Sequence, residues 1–171
     1  MFVRFLLPFM AVVLFLIEPV FALFSGIEMF GRQIYLVPRF LFMYLLFLAV
    51  YYDRKKSMIY GLIFGILYDV VFIDIIGLYA VLFPLFCFLI NWVVRYIQQS
   101  LWIVTVLTVV FVALLEFIMY EFFKLISFTS LTLNDFLLIR LLPTIIANLI
   151  VLIILGWLFK YLIKKRVLQS V

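Results

Sequence analysis

Seven ionisable side chains interrupt the long apolar stretches of this sequence, and their types decide what chemistry the chain could perform. They are Glu18, Arg39, Asp69, Glu116, Glu121, Lys124 and Arg140. Carboxylates and bases can pair with one another, or they can line a cleft that takes a ligand or a helix of another protein. We expect these four acids and three bases, together with Asn148, to form one polar network.

The remaining residue types argue against an enzyme. The sequence has no histidine and a single cysteine, Cys87, which excludes a zinc site of the H-E-x-x-H type and a Ser–His or Cys–His pair. A membrane-embedded aspartyl protease would need two convergent aspartates, whereas Asp69 and Asp74 lie on different faces of one helix. Gly61 and Gly65 lack the Lys-Ser/Thr that follows the glycines of a phosphate-binding loop. We therefore predict no catalytic residues, no metal site and no cofactor.

Composition identifies an integral membrane protein. The 171 residues are 71% hydrophobic and only 12% charged, and the mean hydropathy is +1.43. A soluble domain is roughly half apolar and a quarter charged. The net charge of +5 arises from basic residues at the ends of apolar segments, where they orient helices and meet anionic headgroups. We therefore interpret it as a sign of membrane topology and predict no nucleic-acid binding.

Six apolar segments have about the length of 20 residues that a helix needs to cross the hydrocarbon core. They are predicted at 5–24, 34–52, 57–73, 75–95, 101–126 and 136–160. The first is too long for the usual apolar region of a signal peptide, and no A-x-A-like cleavage site follows it. We predict an all-α polytopic membrane protein with a single transmembrane domain, residues 1–171.

The distribution of basic residues predicts the orientation. With a cytoplasmic N-terminus, nine of the 13 basic residues fall on the cytoplasmic side. They are Arg4, Arg54, Lys55, Lys56, Arg95, Lys160, Lys164, Lys165 and Arg166. The positive-inside rule then places both termini in the cytoplasm. In this topology all seven ionisable residues named first lie in the outer half of the membrane.

Those seven residues need partners. Unpaired, they would together cost on the order of 10 to 20 kcal/mol. We expect Arg39 and Arg140 to reach Asp69, Glu116 or Glu18, and our specific hypothesis is that one of the two arginines holds Asp69. Two interpretations of the network stay open: it fixes the register and tilt of the helices, or it lines a functional cleft.

A glycine face runs along the third predicted helix. Gly61, Gly65 and Asp69 recur at intervals of four residues and share one side of the helix, and Gly77 continues the series outward. Small residues let neighbouring membrane helices approach closely. This face either packs inside the protein or receives the helix of a partner.

Five short stretches occur in an order and spacing typical of one family. They are Val37–Phe42, Met58–Asp69, Gly77–Tyr79, Leu114–Phe117 and Arg140–Asn148. Together they resemble the rod shape-determining protein MreD, in its Gram-positive form, over nearly the whole chain. The resemblance implies a non-enzymatic scaffold of the bacterial cell-elongation complex in the cytoplasmic membrane. The implied partners are the bitopic protein MreC, the actin-like MreB, the glycosyltransferase RodA, a class B penicillin-binding protein that builds peptidoglycan, and membrane lipids.

The same resemblance implies a fold and an alternative function. The family is similar in fold to the six-helix substrate-binding subunits of energy-coupling-factor transporters. A small-molecule-binding membrane subunit of a vitamin-type transporter is therefore the second hypothesis. Those subunits usually carry an Ala-x-x-x-Ala-like patch on the first helix, whereas here Ala11 is followed by Phe15.

Overall fold

The protein is a bundle of helices in the computed structural model, which describes residues 3–23, 26–29, 32–97 and 99–168. The long helices are α1 (Val3–Leu23), α2 (Phe40–Tyr51), α3 (Arg54–Tyr68), α4 (Leu78–Tyr96), α5 (Leu101–Leu125) and α6 (Leu142–Leu168). A π-helical turn, Asp69–Ile73, extends α3, and the short helix Leu133–Asp135 and the π-helix Phe136–Leu141 precede α6. Between α1 and α2, strands β1 (Gly26–Met29) and β2 (Arg32–Tyr35) form an antiparallel hairpin.

Successive helices run in alternate directions, which gives the bundle two ends. The hairpin end carries β1, β2 and residues 69–77 and 126–135. The basic end carries residues 52–54, 97 and 99–100 and the C-terminal part of α6. Contacts at the two ends agree with this arrangement, since Thr144 bonds the carbonyl of Tyr35 and Lys164 lies over the ring of Tyr51.

Four helical segments of the described chain are long and apolar enough to cross a membrane. They are Arg54–Ile73, Leu78–Tyr96, Leu101–Leu125 and Leu133–Lys164. The apolar helices Leu6–Phe21 and Phe40–Tyr51 are shorter. The chain is thus a helical membrane protein, and crossings by α1 and α2 remain predictions.

Helix α2 is shorter than its predicted bounds of 34–52, and α6 extends beyond its predicted end at residue 160. Helix α2 begins only at Phe40, because β2 and an extended segment occupy residues 32–39. Within that segment, Pro38 disfavours helical geometry at the residue before it. The 12 residues of α2 span about 18 Å at 1.5 Å per residue, short of the roughly 30 Å hydrocarbon core.

This short helix is the core of the bundle. Every residue from Phe40 to Tyr51 is buried, and α1, α3, α4, α5 and α6 all contact it. The long helices around it each bury one face and leave apolar residues exposed on the other, such as Val106 on α5 and Ile154 on α6. Those exposed faces suit contact with lipid chains.

The β-hairpin and the π-helical turns lie where the sequence predicts only loop or regular helix. Gly26 pairs with Tyr35 at the open end of the hairpin. The π-helix before α6 has a local cause, since Pro143 has no N–H to complete the α-helical ladder. Consistent with this, the N–H of Leu142 donates to the carbonyl of Leu137, five residues back.

Helices α3 and α4 form the tightest pair, and two glycines make their approach possible. A Cβ atom placed on Gly65 would lie 2.5 Å from the carbonyl oxygen of Tyr79 and 2.7 Å from the Cα of Ala80. One placed on Gly61 would lie 3.1 Å from the nitrogen of Pro84. The glycine face therefore packs against the backbone of α4 inside the protein.

Candidate functional site

Asp69 binds the start of α4. Its Oδ2 atom accepts the N–H groups of Gly77 at 2.8 Å and Ala80 at 3.1 Å, and its Oδ1 atom accepts the N–H of Tyr79 at 2.8 Å. The first N–H groups of a helix have no acceptor within it. The carboxylate of Asp69, which is fully buried, is the acceptor for three N–H groups at the start of α4. Gly77, at φ +115°, adopts the left-handed conformation that glycine favours, so the chain can turn back toward Asp69.

The specific hypothesis that Arg39 or Arg140 holds Asp69 is therefore wrong, and of the three expected partners both arginines bind Glu116 of α5. The Nε and Nη2 atoms of Arg39 each lie 2.6 Å from Oε1 of Glu116, and Nε of Arg140 lies 3.2 Å from Oε2. With Glu116 at 1% and Arg39 at 5% exposure, this is a buried ion-pair cluster, and the Arg39 guanidinium also stands 5.3 Å from the ring centre of Tyr79.

Asn148 of α6 holds the extended segment before α2 in place. Its Oδ1 atom accepts the N–H of Arg39 at 2.9 Å, and its Nδ2 atom donates to the carbonyl of Val37 at 2.9 Å. One turn earlier, Oγ1 of Thr144 accepts the N–H of Val37 at 3.2 Å. These bonds fix the backbone from which Arg39 reaches Glu116.

A pocket of about 410 Å³ adjoins the ion-pair cluster at the hairpin end. Its polar lining residues are Glu18, Arg39, Asp74, Tyr79 and Arg140, and its aromatic ones include Tyr68, Phe72, Phe123 and Phe128. Arg140 keeps 37% of its side chain exposed, so its charge is available to an occupant. We call this the Glu18 pocket.

Glu18 is the unusual member of that lining. It comes from α1 and is only 4% exposed, yet neither of its carboxylate oxygens has a hydrogen-bond partner within the described residues. A buried polar group normally has a partner, and an unpaired carboxylate is costly in an apolar setting. The backbone N–H groups of Phe40 and Leu41, at the start of α2, and the Arg39 charge act on Glu18, but none of them forms a hydrogen bond of regular geometry with it.

Two members of the predicted network lie elsewhere. Glu121 and Lys124 are exposed on α5, and the Lys124 ammonium lies 5.4 Å from the ring centre of Tyr120. The predicted single network is thus divided among the Asp69 cap, the Glu116 cluster with Asn148, the adjacent Glu18, and these two surface residues.

Tyr79 and Thr144 join the site although sequence reasoning did not select them. Thr144 precedes Asn148 by four residues, so the two polar side chains share one face of an apolar helix, and that pattern was a usable signal. Tyr79 carries no comparable signal, because an aromatic residue in an apolar helix is commonplace.

The arrangement joins helices and presents a charged pocket. In the described part of the chain, no group of three or more His, Cys, Asp and Glu residues could hold a metal ion. The thiol of Cys87 is buried and donates to the carbonyl of Leu45 at 3.7 Å. These features define a helical membrane protein organised around buried ion pairs and a pocket at one end.

Comparison with known proteins gives the family. The model of rod shape-determining protein MreD matches residues 3–166. The rod shape-determining protein MreD of Bacillus subtilis (strain 168) is 34% identical over 152 residues, which cover 89% of this chain and 88% of that protein. The cell shape-determining protein MreD of Streptococcus pneumoniae (strain ATCC BAA-255 / R6) is 25% identical over 151 residues, covering 85% and 92%. No solved structure matches the chain.

The chain belongs to the MreD family, whose members are rod shape-determining proteins. Its role is accordingly that of a scaffold in the determination of cell shape.

Proposed function

We propose that this protein is a non-enzymatic scaffold of the cell-elongation complex that holds MreC through the Glu18 pocket. Both termini lie in the cytoplasm, so the hairpin end and its pocket face outward. MreB, RodA and a class B penicillin-binding protein join the same complex and build peptidoglycan along the cell. The observation that carries the proposal is Glu18, a buried carboxyl group whose oxygens form no regular hydrogen bond in the described chain and which lies in the wall of a pocket.

A protein segment suits this pocket because of the distribution of charge. The Arg39 guanidinium is paired with Glu116, whereas the oxygens of Glu18 form no regular hydrogen bond in the described chain. A basic side chain or backbone N–H entering the pocket would satisfy Glu18. The aromatic rings of Phe72, Phe123 and Phe128 in the lining would cover apolar side chains of the same segment.

The test compares two carboxylates on the same end of the protein. Glu18→Gln replaces the buried carboxyl group by an amide of the same size, and Glu121→Gln removes an exposed carboxylate outside the pocket lining. We expect the Glu18 variant to accumulate at the wild-type level, since a side chain of the same volume leaves the packing unchanged, while it loses co-purification of MreC and cells lose rod shape. The Glu121 variant should behave as wild type in all three measurements.

Two results would contradict this function. Full retention of MreC by the Glu18 variant, with normal cell shape, would show that the pocket does not hold it. Equal loss of MreC from both variants would point to a general effect of surface charge at the hairpin end.

A transport subunit remains the alternative function, since a pocket of about 410 Å³ falls within the size range of small-molecule sites. Such a subunit would retain a small solute after purification from native membranes, and its loss would create a nutritional requirement. A scaffold would instead retain MreC. Mass spectrometry of the purified material for proteins and small molecules together separates the two.

A further inference from the structure

A second pocket lies at the opposite, basic end of the bundle. It has a volume of about 380 Å³, and its lining includes Asp53, Arg54, Lys55, Asn91 and Arg95. It is separate from the Glu18 pocket, with which it shares no lining residue. Three cations against one carboxylate give the lining a net charge of +2 at pH 7, which favours an anion.

Backbone geometry adds to this preference. Asp53 caps α3 by accepting the N–H of Lys56 at 2.8 Å. The N–H groups of Arg54 and Lys55, which precede it in the first turn, have no acceptor within the helix. The positive end of the α3 dipole therefore adds to the side-chain cations in attracting a negative group.

The pocket stands at the level of lipid headgroups. Trp92 on α4 and Trp157 on α6 lie toward this end of the bundle and are 50% and 63% exposed. Exposed tryptophans are enriched at the membrane–water interface. The guanidinium of Arg54, one of the lining residues, lies 5.2 Å from the ring centre of Phe88 on α4. That ring is 37% exposed, so apolar surface lies directly beside the cationic lining.

Asn91 provides a further polar group in the lining. Its Nδ2 atom donates to the carbonyl of Ala49 at 2.8 Å, which fixes the orientation of the amide. Its Oδ1 atom is buried and has no hydrogen-bond partner in the described chain. A hydroxyl group is a suitable donor for an oxygen of this kind.

We propose that this basic-end pocket binds the phosphodiester headgroup of an anionic phospholipid such as phosphatidylglycerol. Arg54 and Arg95 contact the phosphate, the first turn of α3 supports its charge, and a glycerol hydroxyl serves Asn91. The acyl chains pass along Phe88. The site anchors the α3–α4 pair to anionic lipid and is independent of the Glu18 pocket.

The experiment titrates the full-length protein in detergent with phosphatidylglycerol and measures bound lipid by native mass spectrometry. In detergent there is no charged bilayer surface, so the measured lipid affinity depends only on the cations of the protein near the bound lipid. We expect Arg95→Gln to lower the affinity about fivefold, and Arg54→Gln/Arg95→Gln about 25-fold, from the usual contribution of a basic residue near anionic lipid. Lys164→Gln is the matched control, because Lys164 is an exposed cation at the same end but outside this pocket.

Three outcomes would overturn the proposal. An equal loss of phosphatidylglycerol affinity in Arg95→Gln and Lys164→Gln would show that the lipid is attracted by the general positive charge and not bound at a site. Equal binding of phosphatidylcholine and phosphatidylglycerol would show that the anion is not recognised. If soluble glycerol phosphate at equal concentration displaced all of the bound lipid, the ligand of this pocket would be a free phosphate ester and not a lipid. Arg95 is exposed, so the single variant should keep the wild-type unfolding temperature without lipid, and the test then reports binding alone.

Discussion

Gly65→Ala provides the sharpest test of how the bundle is held together. The added Cβ would lie 2.5 Å from the carbonyl oxygen of Tyr79 and 2.7 Å from its carbonyl carbon and from the Cα of Ala80. All three are backbone atoms, which cannot rotate out of the way as the end of a flexible side chain can. Helices α3 and α4 must therefore separate, and overpacking of this kind costs about 1–3 kcal/mol.

Separation also weakens the Asp69 cap, since the N–H groups of Tyr79 and Ala80 belong to the displaced backbone. A hydrogen bond to a charged group contributes about 1.5–3 kcal/mol. Alanine returns roughly 1 kcal/mol through its greater helix propensity. The net expectation is a loss of about 1.5–5 kcal/mol in the free energy of unfolding.

The chain contains its own graded controls. At Gly156 an added Cβ would make ordinary contacts with the ring of Phe47, at 3.5 Å, and with Oγ1 of Thr105, at 3.8 Å, so Gly156→Ala should be neutral or slightly stabilising. Gly61→Ala, with a nearest contact of 3.1 Å, should have a free energy of unfolding between those of the other two variants. Measuring the unfolding of all three in the same detergent or nanodisc ranks their stabilities. Stability of Gly65→Ala equal to that of Gly156→Ala would refute the close approach of α3 and α4.

Three further predictions follow from the site and the topology. Asp69→Asn should lower the free energy of unfolding by about 1.5–3 kcal/mol for each charged hydrogen bond lost at the α4 cap, as thermal unfolding would show; no loss would mean that the cap contributes nothing. Glu116→Gln should cost about 3–5 kcal/mol because it leaves buried guanidinium charge uncompensated, and adding Arg39→Gln should restore part of that loss; purely additive losses would count against the pairing. With Cys87 replaced, a single cysteine at Ser130 should react with an impermeant maleimide in intact cells whereas one at Lys55 should not, and the opposite pattern would invert the orientation.

The uniformly apolar helices are the part of the fold that sequence reasoning describes best. The apolar run predicted at 101–126 corresponds to Leu101–Leu125, because the run is continuous and the N-cap residue Ser100 marks its start. The start of α2 is different. There the backbone around Val37 is held extended by Thr144 and Asn148, more than 100 residues away, and no local pattern encodes that contact.

For the buried charges, too, the sequence predicts one part and leaves the other open: it predicts that pairs exist, but it does not determine which residues form them. The presence of buried pairs follows from the cost of isolated charges, and Glu116 does bind both Arg39 and Arg140. The choice of Asp69 as their partner fails because the chain reverses at Gly77 and returns the start of α4 to Asp69. A carboxylate has equally good partners in a guanidinium and in a helix N-terminus, and only the path of the backbone decides between them.

The complete enclosure of α2 has a consequence for biogenesis. A helix of 12 residues with no surface toward lipid cannot take its final position while the later segments are still being synthesised, since four of the five helices around it follow it in the chain. During synthesis its polar neighbour Arg39 also lacks Glu116, which the ribosome adds 77 residues later. Insertion of this segment is therefore provisional until α5 emerges, and degradation of nascent chains should be most severe for truncations that end before Glu116.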